Sequence, residues 1–173
     1  MSVSTSTKPP RKVVVALDSS ASEARHTAEW AINNILDPAR DKVDVINAIS
    51  LDSEFDATEL GTSNIYVTDY LMEMQQQIEQ KVNEALKQFV ELFKSHGIPA
   101  ESHALKSRTD SRNVIVDYTN SAKADLLILG SRDLTGWKRV FLGSFSDYVQ
   151  AHVHCPVLIV REIRVSSPTP TST

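Results

Sequence analysis

The residues best suited to chemistry in this chain lie in one short segment, residues 130–144, with the sequence GSRDLTGWKRVFLGS. It holds three of the five glycines, together with the basic side chains Arg132, Lys138 and Arg139. Glycine lets the backbone approach a bound group closely. Amide N–H groups at a helix N-terminus, reinforced by the helix dipole, favour an anion. The segment therefore predicts a phosphate-binding loop.

Gly143, Ser144 and Phe145 would supply the amide donors, because a helical pattern starts at Ser144. Ser144 adds a hydroxyl donor, and Gly130 and Gly143 can adopt positive φ. Neither a Walker A motif nor a GxGxxG motif is present, so the common phosphate-loop designs are absent. The alternative interpretation is that a Gly-Ser pair before a helix is only a helix cap.

Short apolar runs alternate with helical patterns along the chain. The predicted strands are residues 12–17, 42–49, 100–106, 124–130 and 156–160. The first predicted helix follows a Ser20–Glu23 capping box, and the second runs from about Thr68 to His96. The third begins near Thr109 and the fourth at Ser144. The polar stretch from about Ser50 to Val67 is predicted to be a loop. Strands alternating with crossover helices indicate an α/β fold with a parallel sheet and helices on both faces.

The bulk composition predicts a single cytoplasmic domain. A chain of 173 residues is long enough for one core, and a net charge of −4 argues against nucleic-acid binding. The single cysteine excludes an intramolecular disulfide, and we find neither a membrane-spanning run nor the apolar core of a secretory signal. We expect disordered tails at residues 1–10 and 164–173, with the domain at residues 11–163.

Ligands of open α/β sheets bind beyond the carboxyl ends of the strands. Asp18 follows the first predicted strand and Gly130 ends the fourth, so both are candidate site residues. The alternative for Asp18 is a helix cap. Trp137 either covers a ligand or packs on a partner, and the sequence leaves both open.

Other polar and sulfur-bearing residues receive structural interpretations. His152, His154 and Cys155 lack the spacing of a metal site or an activated nucleophile. Met74, Phe89 and Phe93 repeat at helical spacing and are predicted to be core. Because no catalytic set or paired metal carboxylates are evident, we predict no dedicated enzyme and no catalytic or metal-ligating residue, with slow ATP hydrolysis as the upper limit.

Four segments together resemble the universal stress protein family: VVVALDSS, ADLLILGSR, FLGSFSDYV and CPVLIV. The resemblance covers almost all of the chain from Lys12 to Val160. ATP-binding members carry Gly, two residues, Gly, nine residues, Gly, and then Ser or Thr. Gly130, Gly143 and Ser144 match this pattern, whereas Asp133 replaces the second glycine.

The resemblance implies a flavodoxin-like, Rossmann-like sheet of five strands in the order 3-2-1-4-5. It implies that Asp18 contacts the ribose and adenine side of the nucleotide, with the backbone of Ala16 and Ala48 near the base. The phosphate ligands that it implies are Gly130, Gly143, Ser144, Phe145 and Ser146, with Arg132 and Asp133 in the same loop. The implied ligand is ATP, with ADP or AMP as alternatives and with or without Mg²⁺. A homodimer through the last strand and an unidentified protein partner are also implied, with no nucleic acid and no membrane.

Asp133 opens an alternative function. A carboxylate repels a phosphate by on the order of 1 kcal/mol at a solvated separation of ~4 Å. If ATP binds, the Asp133 side chain points to solvent, pairs with Arg132 or Lys138, or coordinates a Mg²⁺ that bridges to phosphate. Otherwise the protein is a universal stress protein module that works through protein contacts without ATP. A third hypothesis, an ATP-using ligase or pyrophosphatase, is disfavoured because Asp18-Ser-Ser stands where such enzymes carry a Ser-Gly-Gly loop.

Overall fold

A computed structural model describes residues 9–18, 23–50, 65–107, 110–130 and 144–161. Five strands and four helices alternate along this part of the chain. The strands are β1 (Arg11–Ala16), β2 (Asp41–Ser50), β3 (Ala100–Ser107), β4 (Leu126–Gly130) and β5 (Val157–Val160). The helices are α1 (Glu23–Asn34), α2 (Ile65–Ser95), α3 (Ser111–Ser121) and α4 (Ser144–His152). No helix within the described ranges combines the length and apolarity that crossing a bilayer requires.

The strands form one parallel sheet in the order β3-β2-β1-β4-β5, which confirms the predicted fold and strand order. Central β1 is an apolar run whose three valines are fully buried, because helices cover both faces of the sheet. One face packs against α1 and α2, with Ala28 and Phe93 in that layer. The other packs against α3 and α4, with Ile115 and Val149 in that layer.

The length of α2 explains one wrong prediction. Its 31 residues span about 46 Å, whereas the eight residues of β3 span about 26 Å, so the helix is longer than the sheet is deep. Phe89 and Phe93 are buried as predicted, but Met74 is 47% exposed and is not a core residue. The apolar stripe of α2 continues beyond the surface of the sheet against which the helix packs.

Several element boundaries also differ from the predicted ones. α2 begins at Ile65, so Ile65–Val67 belong to the helix, and Ser50 still belongs to β2. Residues 51–64 of the predicted loop lie outside the described part, as do Ser20 of the predicted capping box and both predicted tails apart from Pro9 and Pro10. α3 begins at Ser111, slightly later than the predicted start near Thr109, and its cap is Asp110, whose Oδ1 accepts the Arg112 N–H at 2.9 Å.

A partly buried ion pair lies at the edge of the sheet at which the strands begin, which we call the amino edge. Arg11 donates from Nε and Nη2 to the two carboxylate oxygens of Asp41, at 2.8 and 2.6 Å. The Asp41 side chain is fully buried, and it also accepts the Asp37 N–H at 2.8 Å. Burial would raise the pKa of Asp41, but the Arg11 hydrogen bonds, the Asp37 amide and the neighbouring positive charges hold that pKa below its ordinary value.

Candidate functional site

The sheet places four of the predicted site residues on three adjacent strands. β1 lies between β2 and β4, and Ala16 is in register with Ile46 on one side and Leu129 on the other. Asp18 therefore follows β1 beside Gly130 at the end of β4, and Ala48 lies two residues beyond Ile46 on β2. The residues are thus gathered where these strands end, which we call the carboxyl edge.

Asn47, which the sequence analysis did not single out, fixes the backbone just before Asp18. The Leu17 N–H donates to the Ile46 carbonyl at 2.9 Å, and the Asn47 side-chain amide donates to the Leu17 carbonyl at 2.9 Å. Asn47 is buried, with 8% exposure. Its signal in the sequence is a lone amide within the otherwise apolar end of β2, where a buried polar group needs partners. Asp18 directly follows this hydrogen-bonded residue and is half-buried.

Gly130 has a packing reason for being glycine that is independent of any ligand. A Cβ added there would lie 2.7 Å from Oγ1 of Thr27 on α1. Thr27 is buried and donates to the Glu23 carbonyl at 3.0 Å, so it has little freedom to move away. Gly130 does not adopt positive φ, contrary to the expectation from the sequence, whereas Gly97 does. Close approach of α1 to β4 is what requires glycine here.

The N-terminus of α4 lies at the same edge. Since β4 and β5 are parallel, α4 must run back across the sheet, and its buried Val149 packs on the layer shared with α3. The helix begins at Ser144 as predicted. Ser144 and Phe145 are exposed and Ser146 is half-buried. The first amides of a helix lack intrahelical partners, so this end offers donors to an anion.

The side chain of Arg112, which the sequence analysis did not single out, joins α3 to α4. The Arg112 guanidinium lies 4.8 Å from the ring centroid of Tyr148 and donates from Nε to Asp110 at 2.6 Å. The Tyr148 hydroxyl donates to Asn113 Oδ1 at 2.7 Å. No sequence motif predicts this arrangement, because its residues come from two helices. It ties the N-terminal turn of α3 to α4 one turn below Ser144.

The predicted loop residues Arg132, Asp133 and Gly143 lie outside the described residues, as do Trp137, Lys138 and Arg139. Their roles stay predictions.

The structural interpretation of the segment at residues 152–155 agrees with its contacts. His152 Nδ1 lies 2.7 Å from the Tyr148 carbonyl, and the His154 N–H donates to Asn120 Oδ1 at 3.0 Å. Burial raises the pKa of the Cys155 thiol, which opposes formation of the thiolate that a nucleophile needs.

Comparison with known proteins shows which family this chain matches. The model of the universal stress protein family matches residues 10–161. A universal stress protein A-like protein of Arabidopsis thaliana is 26% identical over 172 residues, covering 92% of this chain and 95% of that protein. A universal stress protein of Methanocaldococcus jannaschii is 27% identical over 124 residues, covering 67% of this chain and 72% of that protein.

Solved structures with the same fold include proteins with bound nucleotides. A universal stress protein family protein of Arabidopsis thaliana with AMP bound superposes with a TM-score of 0.62 at 21% identity, covering 90% of this chain and 94% of that one. A universal stress protein of Archaeoglobus fulgidus in complex with dAMP gives 0.55 at 20% identity, covering 88% and 98%. Another universal stress protein, in complex with cAMP, gives 0.61 at 18% identity, covering 89% and 98%. Such likeness shows the shared fold, and the family match spans nearly the whole described chain. This chain belongs to the universal stress protein family.

Proposed function

We propose that this universal stress protein binds an adenine nucleotide at the carboxyl edge, between β1 and β4. ATP is the proposed ligand, with ADP or AMP as alternatives. The observation that carries the proposal is the direct pairing of β1 with β4, because it brings Asp18 and Gly130 together from distant parts of the chain. The N-terminus of α4 adds anion-binding amides at the same edge. Structural neighbours with AMP, dAMP or cAMP support the ligand class.

The proposed contacts are those that the family resemblance implies, and Arg132, Asp133 and Gly143 among them lie outside the described residues. Asp18 receives the ribose and adenine side, with the backbone of Ala16 and Ala48 near the base. The proposed phosphate ligands are Gly130, Arg132, Gly143, Ser144, Phe145 and Ser146. Where Mg²⁺ accompanies the nucleotide, Asp133 is the carboxylate in the loop that would hold it.

We further propose that the protein is a cytoplasmic homodimer paired through β5, and that nucleotide binding alters its contact with a protein partner. In the described sheet β5 pairs with β4 alone, and Val157, Leu158 and Ile159 are only half-buried within the single chain. An apolar edge strand of this kind is suited to pairing with a second copy. The proposed role of the nucleotide is to regulate this contact rather than to be hydrolysed.

Two measurements test nucleotide binding. Protein purified without added nucleotide is heat-denatured, and the supernatant is chromatographed for released ATP, ADP or AMP. Calorimetric titration of ATP with Mg²⁺ then compares the wild type with Ser144→Ala and Asp18→Asn. Loss of a hydrogen bond to a charged phosphate costs about 1.5–3 kcal/mol, so Ser144→Ala should weaken binding by about 10- to 150-fold.

Asp117→Asn is the matched control, because it removes an exposed carboxylate on α3 without touching the carboxyl edge. It should bind ATP as the wild type does. Absence of released nucleotide together with no binding heat in the wild type would refute the proposal. Equal affinity in Ser144→Ala and the wild type would refute the assignment of the Ser144 hydroxyl as a phosphate ligand.

A second candidate function rests on Asp133, the one departure from the glycine pattern of ATP-binding members. In this alternative the protein is a dimeric interaction module without ATP. Asp133→Gly separates the two: binding that appears only in this variant supports the module, whereas binding already present in the wild type supports the nucleotide proposal.

A further inference from the structure

Three side chains with metal-binding atoms meet on one face of the sheet, away from the carboxyl edge. Asp44 lies early in β2 and is directly in register with Glu101, the second residue of β3. His103 follows Glu101 by two positions, so both side chains point to the same face of the strand. One oxygen or nitrogen from each of the three residues lies within 4.8 Å of the others.

His103 provides an independent sign that this cluster is incomplete. Its Nε2 atom is buried, yet it has no hydrogen-bond partner among the described residues. The nearest carboxylate oxygen of Glu101 is 3.9 Å away, which is too far for a hydrogen bond. A buried polar atom without a partner is rare and needs an explanation. A metal ion bound by this nitrogen would provide one.

The surroundings orient the ligands as partners of a metal site do. The Tyr118 hydroxyl donates to Asp44 Oδ2 at 3.0 Å, and its ring packs on the His103 imidazole with centroids 5.2 Å apart. Hydrogen bonds of this kind fix the direction of a ligating carboxylate.

We propose that Asp44, Glu101 and His103 form a binding site for a divalent transition metal, with Zn²⁺ as the best match. One imidazole, two carboxylates and a water make a tetrahedral set that Zn²⁺ accepts at about 2.0–2.2 Å, which places neighbouring ligand atoms about 3.3 Å apart. The cluster must therefore contract. Glu101 can supply that movement, because its side chain is 67% exposed.

Lys12 is the competitor of the metal. Its ammonium lies 2.9 Å from Oδ2 of Asp44, the oxygen that also accepts from Tyr118. The Lys12 side chain is 38% exposed, so it can swing into water when a cation arrives. This geometry makes an unusual prediction: removing Lys12 should tighten metal binding, whereas removing any of the three ligands should weaken it.

The test titrates Zn²⁺ into the full-length protein without a histidine tag, with Co²⁺ absorption as a second readout of ligand geometry. The wild type should bind one equivalent, with absorption bands typical of four-coordinate Co²⁺. His103→Gln and Glu101→Gln should each weaken binding at least about tenfold, the scale of loss that even indirect metal partners produce. Lys12→Gln should tighten binding about tenfold.

His154→Gln is the matched control, because it removes an exposed histidine at the start of the segment that leads into β5. It should leave the affinity unchanged. No binding by the wild type, equal loss in His154→Gln and His103→Gln, or weaker binding in Lys12→Gln would each overturn the proposal. If His103→Gln fails to fold, Glu101→Gln still decides, since Glu101 is exposed. The metal site is separate from the carboxyl edge, so the result of this titration does not depend on whether the protein binds a nucleotide.

Discussion

Replacing Gly130 with alanine tests whether packing, rather than a ligand, requires glycine at the end of β4. The added Cβ would lie 2.7 Å from Oγ1 of Thr27, about 0.7 Å closer than an ordinary contact at 3.4 Å. Thr27 is 1% exposed, and its hydroxyl donates to the Glu23 carbonyl. Relief of the overlap therefore requires either a lost hydrogen bond or a shift of α1 away from β4.

The expected magnitude follows from opposing terms. Overpacking a well-filled core costs about 1–3 kcal/mol. Alanine also restricts the unfolded chain, which returns about 0.4–1 kcal/mol because Gly130 does not use positive φ. We expect a net loss of about 1–2 kcal/mol in the free energy of unfolding. For a chain of this size, that corresponds to a melting temperature lowered by about 2–8 °C.

A double-mutant cycle makes the reasoning specific. Thr27→Ala removes Oγ1 and Cγ2 and leaves the Thr27 Cβ position 3.6 Å from the added methyl group, an ordinary contact. Gly130→Ala should therefore cost little in the Thr27→Ala background, giving a favourable coupling of about 1–2 kcal/mol. Thr27→Val is the matched control, because it loses the hydroxyl but keeps the bulk, so Gly130→Ala should remain destabilising in that background.

Thermal and urea unfolding without nucleotide measure all of these variants. Wild-type stability in Gly130→Ala would refute the packing explanation, and so would additivity of the Thr27→Ala and Gly130→Ala effects. The stable double variant then permits a clean binding measurement. Weak ATP binding by it would assign Gly130 a ligand role in addition to its packing role.

Three further predictions concern acid stability, helix capping and assembly. The pKa of Asp41 is lowered in the folded state, so its contribution is present above about pH 4 and is lost as the pH falls through the folded-state pKa. Asp41→Asn should therefore lose stability at neutral pH, and its difference from the wild type should shrink below pH 4 in pH-dependent urea unfolding; a constant difference would contradict this. Asp110→Ala should lower the free energy of unfolding by about 1 kcal/mol through loss of the α3 cap, whereas Asp117→Ala, on the same helix, should change it little. Equal effects of the two substitutions on chemical unfolding would remove the cap as the cause. Sedimentation equilibrium should show a dimer if β5 pairs with a second copy, and a monomer throughout the micromolar range would refute that pairing.

The architecture was predictable because its signals are local. The apolar β-branched run of β1 indicated a strand buried on both faces, and the alternation of strands and helices indicated a parallel sheet. The strand order came from the family resemblance, since local patterns do not encode which strands become neighbours. The exposure of Met74 escaped prediction for a related reason: periodicity gives the direction of a side chain but not the extent of the surface that it meets.

The candidate site was predictable where its members stand at the end of a strand or at the start of α4. Asp18 and Gly130 stand at recognisable strand ends. Asn47 and Arg112 were missed because their partners lie elsewhere in the chain: Asn47 bonds the Leu17 carbonyl, and Arg112 packs on Tyr148. The tight contact between Thr27 and Gly130 is likewise a product of tertiary packing, and no motif marks it.

The partly buried pair of Arg11 and Asp41 lies at the end of the sheet remote from Asp18 and Gly130. Residues at the carboxyl edge can therefore change while the pair at the amino edge keeps the sheet intact. Substitution tolerance should accordingly divide in space. Changes near Arg11 should reduce the yield of folded protein in every growth condition, whereas changes near Asp18 should matter only in conditions that require the proposed nucleotide binding.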